Sequence, residues 1–343
     1  MFDDLILTLT IHTKSGNLDE TKVITYVRGD YMDSEVLKLI QVAKMYYEEN
    51  MTQSQIAKQL GVSRPLISNM LTKARNTGIV EIKIKEPFGN NMLLLNQLKN
   101  IFNVQGGFVL PSSSTPYLTD KAIINQSQVF IKDQIHVMNK VGLGWGYAMR
   151  EVVENLKEEE ISQVQEGLVC PLIGTASIPN KGYHPAELVR EFAAKTGFEP
   201  HFLFAPAFPT SEQEQELYVN TDNYQEIEIL WDQLDTVVFS LGAYPSVPDH
   251  ATALRFGKEL AKQGAVGKML SYFFDKDGQI IQGENDFAIQ IPLAKLGRVR
   301  RVIAICPAEI NAKAILGALK TGFITHIIVT EERAKEVIAS RAY

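Results

Sequence analysis

From Asp33 the apolar residues recur every three or four positions. Val36, Leu39, Ile40, Ala43 and Tyr47 share one face, which predicts an amphipathic helix. The next stretch, TQSQIAKQLGVSRPLISNML (52–71), is polar, compact and interrupted by Gly61. Thr52 and Gln55 form a Thr-x-x-Gln capping box, so a helix starts there and runs to about Leu60. Gly61 supplies the backbone angle that ends it, Ser63 caps a second helix, and Pro65 sits in that helix's first turn, where its missing N–H costs little. Ile56, Leu60, Val62, Ile67 and Met70 are placed to pack between the two helices, with Ala57 small enough for a close crossing. The pattern predicts a helix-turn-helix.

After it, GIVEIKIKEP alternates Val80, Ile82 and Ile84 with charges, as a half-exposed strand does. Pro87, Gly89 and two asparagines mark a boundary, and MLLLNQLKNIF reads as a linking helix. Ahead of the helical module, residues 1–31 carry two strand-like patches, LILTLTIHT and KVITYV, that read as detached from the helices. From about Gly106 the rhythm changes to short apolar runs alternating with helices: GGFVL, KVGLGW, LVCPLIG, HFLFAPA, TVVFSLGAY, VRRVIAIC and THIIVT are the strand candidates. Near-continuous apolar strands between amphipathic helices predict a doubly wound α/β domain with a parallel sheet covered on both faces. The expected organisation is an N-terminal extension (1–31), a helix-turn-helix domain (32–87), a linker helix (88–106) and an α/β domain (107–343).

Charge sharpens this picture. The 343 residues carry a net −6, which argues against nucleic acid only if the charge is evenly spread. Between Met51 and Lys85 six cations (Lys58, Arg64, Lys73, Arg75, Lys83, Lys85) face Glu81 alone, a local +5 that leaves −11 for the remainder. A basic module on an acidic body suits a helix laid in a DNA major groove. The candidate DNA-facing residues are Thr52, Gln53, Ser63, Arg64, Pro65, Ser68, Asn69 and Lys73. Arg can bond guanine twice and Asn adenine twice, while lysines mostly answer phosphates. The bland alternative is a helical hairpin that merely packs in a core. Two cysteines, Cys170 and Cys306, are too few for a disulfide framework and suit a reducing cytoplasm. No run approaches the ~18 apolar residues of a membrane span, and the N-terminus puts acids before its apolar run, the reverse of a secretory signal.

KVGLGWGYAM is the second informative stretch. A strand ends in Gly142-Leu143-Gly144-Trp145-Gly146 and a helix begins at once. Glycines there let a ligand approach the backbone, and a helix start favours an anion such as phosphate. The spacing is not G-x-G-x-x-G, which weakens a dinucleotide reading. A tight turn with a packing tryptophan is the structural alternative.

The order helix-turn-helix, GIVEIKI, linker helix and GLGWGYAM, continued by CPLIGT, GAVGKMLSYFFDKDGQ and NAKAILGALKTGFITHIIVTEERAKEVI, resembles the SorC/DeoR-type sugar-binding transcriptional regulators from Met32 to the C-terminus. The resemblance implies a Rossmann-like effector domain similar to sugar-phosphate isomerases and deaminases, a phosphorylated sugar as effector with no cofactor, and a homo-oligomer, typically a tetramer, on palindromic operator DNA. By motif, Gly144, Trp145, Gly146 and Tyr147 are expected to cradle the phosphate, Gly174 and Thr175 to close the pocket, His184 to touch the sugar and Lys313 to supply a cation. The chain departs from the family pattern at Lys268, where an acid is usual, at the stiff Ile305-Cys306-Pro307 in place of a glycine-rich turn, at Thr175 for a glycine and at Ile173 for a charged residue. Lys268 prefers an anion, which suggests a second acidic group on the ligand.

The rival reading is a sugar-phosphate isomerase or deaminase with an accessory helical module. Asp235, Asp249, Asp275 and Asp286 could furnish a general base, though no spacing pairs two of them. Cys306 invites a nucleophile, but a small residue at a strand end explains it equally. The six histidines are scattered without ligand spacing, so no metal site is expected, and GAVGK is too short for a P-loop.

Overall fold

The computed structural model describes residues 6–15, 18–27, 34–83, 89–156, 167–176, 181–245 and 250–340. The chain forms two compact units, Met1–Pro87 and Phe88–Tyr343.

In the first unit β1 (Ile6–Ser15) and β2 (Leu18–Val27) form an antiparallel hairpin, followed by α1 (Ser34–Tyr47), α2 (Gln53–Leu60), α3 (Arg64–Asn76) and β3 (Glu81–Lys83). β2 pairs antiparallel with β3, so the two patches expected to stand apart join the strand that comes after the helices. The local signals act as the sequence predicts. The Thr52 N–H donates to Gln55 Oε1 at 2.9 Å while the Gln55 N–H donates to Thr52 Oγ1 at 3.3 Å, closing the capping box. Gly61, at φ 67° and ψ 30°, ends α2, and Ser63 Oγ accepts from the Leu66 N–H to start α3. Ile56, Ala57, Ile67, Leu71 and Ala74 close the core against Leu39, Val42 and Ala43 of α1. Val62, expected between the helices, is instead exposed: Gly61 turns the chain outward just before it.

The second unit starts with α4 (Met92–Phe102), whose Leu94, Leu95 and Leu98 pack into the core of this unit. The stretch expected to bridge two modules is thus integral to one. There follow β4 (Gly106–Leu110), α5 (Pro116–Gln134), β5 (Lys140–Leu143), α6 (Tyr147–Glu154), β6 (Leu168–Pro171), α7 (Pro185–Thr196), β7 (Glu199–Pro200), α8 (Glu212–Val219) and α9 (Asp222–Gln233). Then come β8 (Thr236–Ala243), α10 (His250–Phe256), α11 (Glu259–Lys262), β9 (Ala265–Met269), β10 (Tyr272–Asp275), α12 (Leu293–Leu296), β11 (Arg301–Ile305), α13 (Ala312–Lys320), β12 (His326–Thr330) and α14 (Glu331–Ala339). The strand order is β4-β12-β11-β8-β5-β6-β7, all parallel, with the antiparallel β9–β10 hairpin added to the end of β8.

Alternate residues of the central strands enter two separate cores. Val237, Phe239, Val302, Ala304 and Ile327 face the layer of α4, α9, α13 and α14. Val238, Ile303, Ile305 and Ile328 face α5, α6 and α7. Burial on both faces is why these strands read as unbroken apolar runs, and the result is the doubly wound sheet the sequence predicts. HFLFAPA is not a strand. Only β7 precedes it, and Pro206 makes a single bridge to Thr175. Among the described residues no helix is long and apolar enough to cross a membrane.

At the N-terminal end of the sheet His326 packs against Gly106, where a Cβ would lie 2.8 Å from the ring, and its Nδ1 is 2.9 Å from Thr325 Oγ1. Burial first, then the charges of Arg301 and Lys99, hold its pKa down to about 4. A folded-state pKa below the unfolded value means stability is complete above about pH 6.5 and falls as pH drops toward 4. Urea unfolding across that window should show a loss on the order of 1–2 kcal/mol from this ring, which is partly exposed, and His326→Gln should flatten that part of the profile.

Candidate functional site

In the doubly wound unit the chain runs outward from β5 through β6 to β7, then returns to the other side of β5 as β8. Strand order therefore reverses between β5 and β8, and a crevice opens at the carboxyl ends there. A cavity of about 1160 Å³ occupies it, with Trp145, Gly146 and Tyr147 after β5, Ser240 and Gly242 on β8, and Pro307 after β11 on its walls.

The turn after β5 is built for close approach. The Gly144 N–H donates to Val238 O at 2.8 Å, and a Cβ on Gly144 would fall 2.6 Å from that of Phe239. Gly144 therefore fastens β5 to β8, and its amide is already used. Gly146 caps α6 at φ 104° with open space around its Cα, so glycine is required there by conformation and not by room. It offers no side-chain cap, which leaves the first-turn amides of α6 without that partner, and Gly146, Tyr147 and Ala148 all line the cavity.

Lys268 on β9 also lines the cavity. Its stem lies across Gly242, where a Cβ would come 2.9 Å from Cγ and Cε, and its ammonium is 5.6 Å from the Phe273 ring centre. The other expected residues lie elsewhere. Gly174 is wedged against Ala205 O and Pro206 O, its N–H donates to Ile289 O, and the Thr175 N–H donates to Ala205 O. These two positions join loops, and Ala176 beyond them reaches the cavity. His184 caps α7 and Lys313 is exposed on α13; neither lines the cavity.

Arg255 carries no motif in the sequence that marks it as part of the site. It is only 3% exposed, yet it lines the cavity from α10. Its Nε donates to Asp286 Oδ1 at 2.8 Å and its Nη2 to Ser271 O at 3.1 Å, and its guanidinium lies between the rings of Phe208 and Phe256 at 4.6 and 4.7 Å. Phe208 in turn meets Trp145. One buried cation so ties α10 to three other segments of the cavity wall. The only trace in the sequence was an arginine on the apolar side of a short helix.

The candidate bases have structural work. Asp286 pairs with Arg255, Asp235 Oδ2 accepts the Asn139 and Lys140 amides, Asp275 Oδ1 accepts those of Asp277 and Gln279, and Asp249 lies outside the described residues. Burial pushes the Cys170 thiol up to about 12 and Cys306 higher still, which leaves both inert. Among the described residues no cluster of His, Cys, Asp or Glu could hold a metal ion.

On the helix-turn-helix, α3 buries Ile67, Leu71 and Ala74 and turns Arg64, Pro65, Leu66, Asn69, Thr72 and Lys73 to solvent, with Ser68 half-buried on the flank. Thr52 and Ser63 spend their hydroxyls on caps, and Gln53 is half-exposed at the start of α2. Lys73 forms an exposed ion pair with Glu35, a contact weak enough for a phosphate to displace.

A family model described as "Putative sugar-binding domain" matches residues 86–339. The chain belongs to the SorC/DeoR family of sugar-binding transcriptional regulators. It is 28% identical over 309 residues to the sorbitol operon regulator of Klebsiella pneumoniae, across 88% of this chain and 97% of that one. It is 27% identical over 319 residues to the deoxyribonucleoside regulator of Bacillus subtilis (strain 168), across 90% and 99%. The crystal structure of full-length SorC from Klebsiella pneumoniae aligns with a TM-score of 0.68 at 28% identity, over 90% of this chain and 100% of that one. This SorC/DeoR member is a DNA-binding, sugar-responsive transcriptional regulator, and the relatives are regulators, not isomerases.

The buried Arg255–Asp286 pair gives a sharp test of the cavity wall. Arg255→Met or Asp286→Leu alone should cost on the order of 3–5 kcal/mol in urea unfolding, because the surviving charge is stranded. The double variant should lose less than the sum; strictly additive losses would show that the pair does not hold the wall.

Proposed function

We propose that this regulator senses a phosphorylated sugar in the cavity at the β5–β8 switch point, with the phosphate at the start of α6. The observation that carries the reading is the α6 N-terminus itself, lacking a side-chain cap and opening into a cavity of about 1160 Å³. Amides at a helix start, aided by the helix dipole, favour an anion. Trp145 and Phe208 supply apolar faces for a sugar ring, and Lys268 supplies a cation for a second acidic group, a phosphate or carboxylate. Gly174, Thr175, His184 and Lys313 have no direct part in this reading, since they lie off the cavity walls.

The DNA partner is an operator with palindromic half-sites, read by α3 of a homo-oligomer, a tetramer by analogy with the family, in the cytoplasm. Thr52 and Ser63 act through the caps that aim α2 and α3, and Arg64, Asn69 and Lys73 meet the duplex. Effector binding shifts the oligomer between two arrangements that space the recognition helices differently, and only a difference in affinity for the two can drive that shift.

Calorimetry with a panel of sugar phosphates and their parent sugars tests the effector. A phosphorylated sugar should bind at least tenfold more tightly than its parent, and at a hundredfold excess over Kd it should add about 2.7 kcal/mol of stability. Gly146→Ala should weaken it by straining the cradle. Lys268→Ala should weaken a ligand with two anionic groups about tenfold and a monophosphate little. Equal affinity for the phosphorylated and parent sugars would overturn the reading.

A further inference from the structure

Leu66 is the third residue of α3 and 45% exposed, and Val62, in the turn before it, is 37% exposed. Neither belongs to the core of the first unit, which closes around Ile56, Ile67 and Leu71. The Leu66 amide is held by Ser63 Oγ, so the cap fixes the backbone that carries this side chain. Leu66, Asn69 and Lys73 succeed one another at intervals of three and four, and so lie along one line of the exposed face.

In a helix-turn-helix the N-terminal residues of the second helix reach the base edges. The only methyl group those edges offer in the major groove is the C5 methyl of thymine. An aliphatic side chain exposed at that position gains by covering such a methyl, whereas against a guanine or cytosine edge it would desolvate polar base groups without replacing their hydrogen bonds.

We infer that Leu66 is a specificity-determining residue that reads a thymine methyl in the operator, beside the base contacted by Asn69. Arg64 and Lys73, exposed on either side along the helix, suit the flanking phosphates or a guanine edge. The inference rests on the DNA-binding reading of this chain and adds the chemistry of one contact to it.

Deoxyuridine provides the test, because it differs from thymidine only by that methyl. The full-length protein would select duplexes from a random-sequence library, and each thymine of the selected site would be replaced in turn by deoxyuridine. Affinity would be read by fluorescence anisotropy at fixed salt. At one thymine of the site the replacement should weaken the wild-type chain about fourfold, the effect of losing one buried methyl group. Leu66→Ala should bind that site more weakly and be indifferent to the same replacement. A Leu66→Ala variant that keeps the wild-type sensitivity, or a wild-type chain indifferent at every thymine, would overturn the inference while leaving the regulator reading intact. Selection of no sequence at all would overturn both.

Discussion

The hydrogen bond from the Gly144 amide to Val238 O fixes the geometry on which the cavity at the β5–β8 switch point depends. It clamps the end of β5 to β8 at the point where strand order reverses, and it forms only because Gly144 lacks a Cβ that Phe239 would reject. Two residues later Gly146 adopts a backbone angle that L side chains avoid, and α6 begins with its amides at the cavity mouth. The two glycines act in different ways, since the first allows contact between strands and the second allows the turn. The motif GLGWG is therefore both a strand junction and a helix start.

The features legible in the sequence were those that short-range physics decides. Thr52, Gln55, Gly61 and Ser63 interact within a few residues of one another, so their caps could be read directly. The central strands were legible because burial on both faces makes their middles largely apolar, with most of the polar residues near their ends. HFLFAPA has the same apolar look but lies beyond the short edge strand β7, with Pro206 in it, and apolarity alone does not distinguish loop from strand. The β9–β10 hairpin and the pairing of β2 with β3 depend on partners distant in sequence.

The candidate site divides along the same line. Trp145, Gly146, Tyr147 and Lys268 line the cavity, while the Gly174 amide is used by Ile289 O and the Thr175 amide by Ala205 O. Arg255 was invisible because its meaning comes from Asp286, Phe208 and Ser271, none of which is its neighbour in the chain. A buried arginine between two rings makes sense only once the fold has closed around it. Lys268 is the opposite case: its oddity showed in the motif, and the structure adds that Gly242 gives its stem room to lie along the cavity wall.

One chain carries a cavity at the switch point of its doubly wound sheet and a helix-turn-helix with an exposed polar face. If the two are coupled, the affinity of the full-length chain for its selected duplex must change with a saturating sugar phosphate that binds the cavity, and measuring it with and without that ligand tests the coupling directly. Coupling of regulatory size predicts a change of at least fivefold in affinity, absent when the parent sugar replaces the phosphate. An effector that saturates the cavity and leaves DNA affinity unchanged would contradict it.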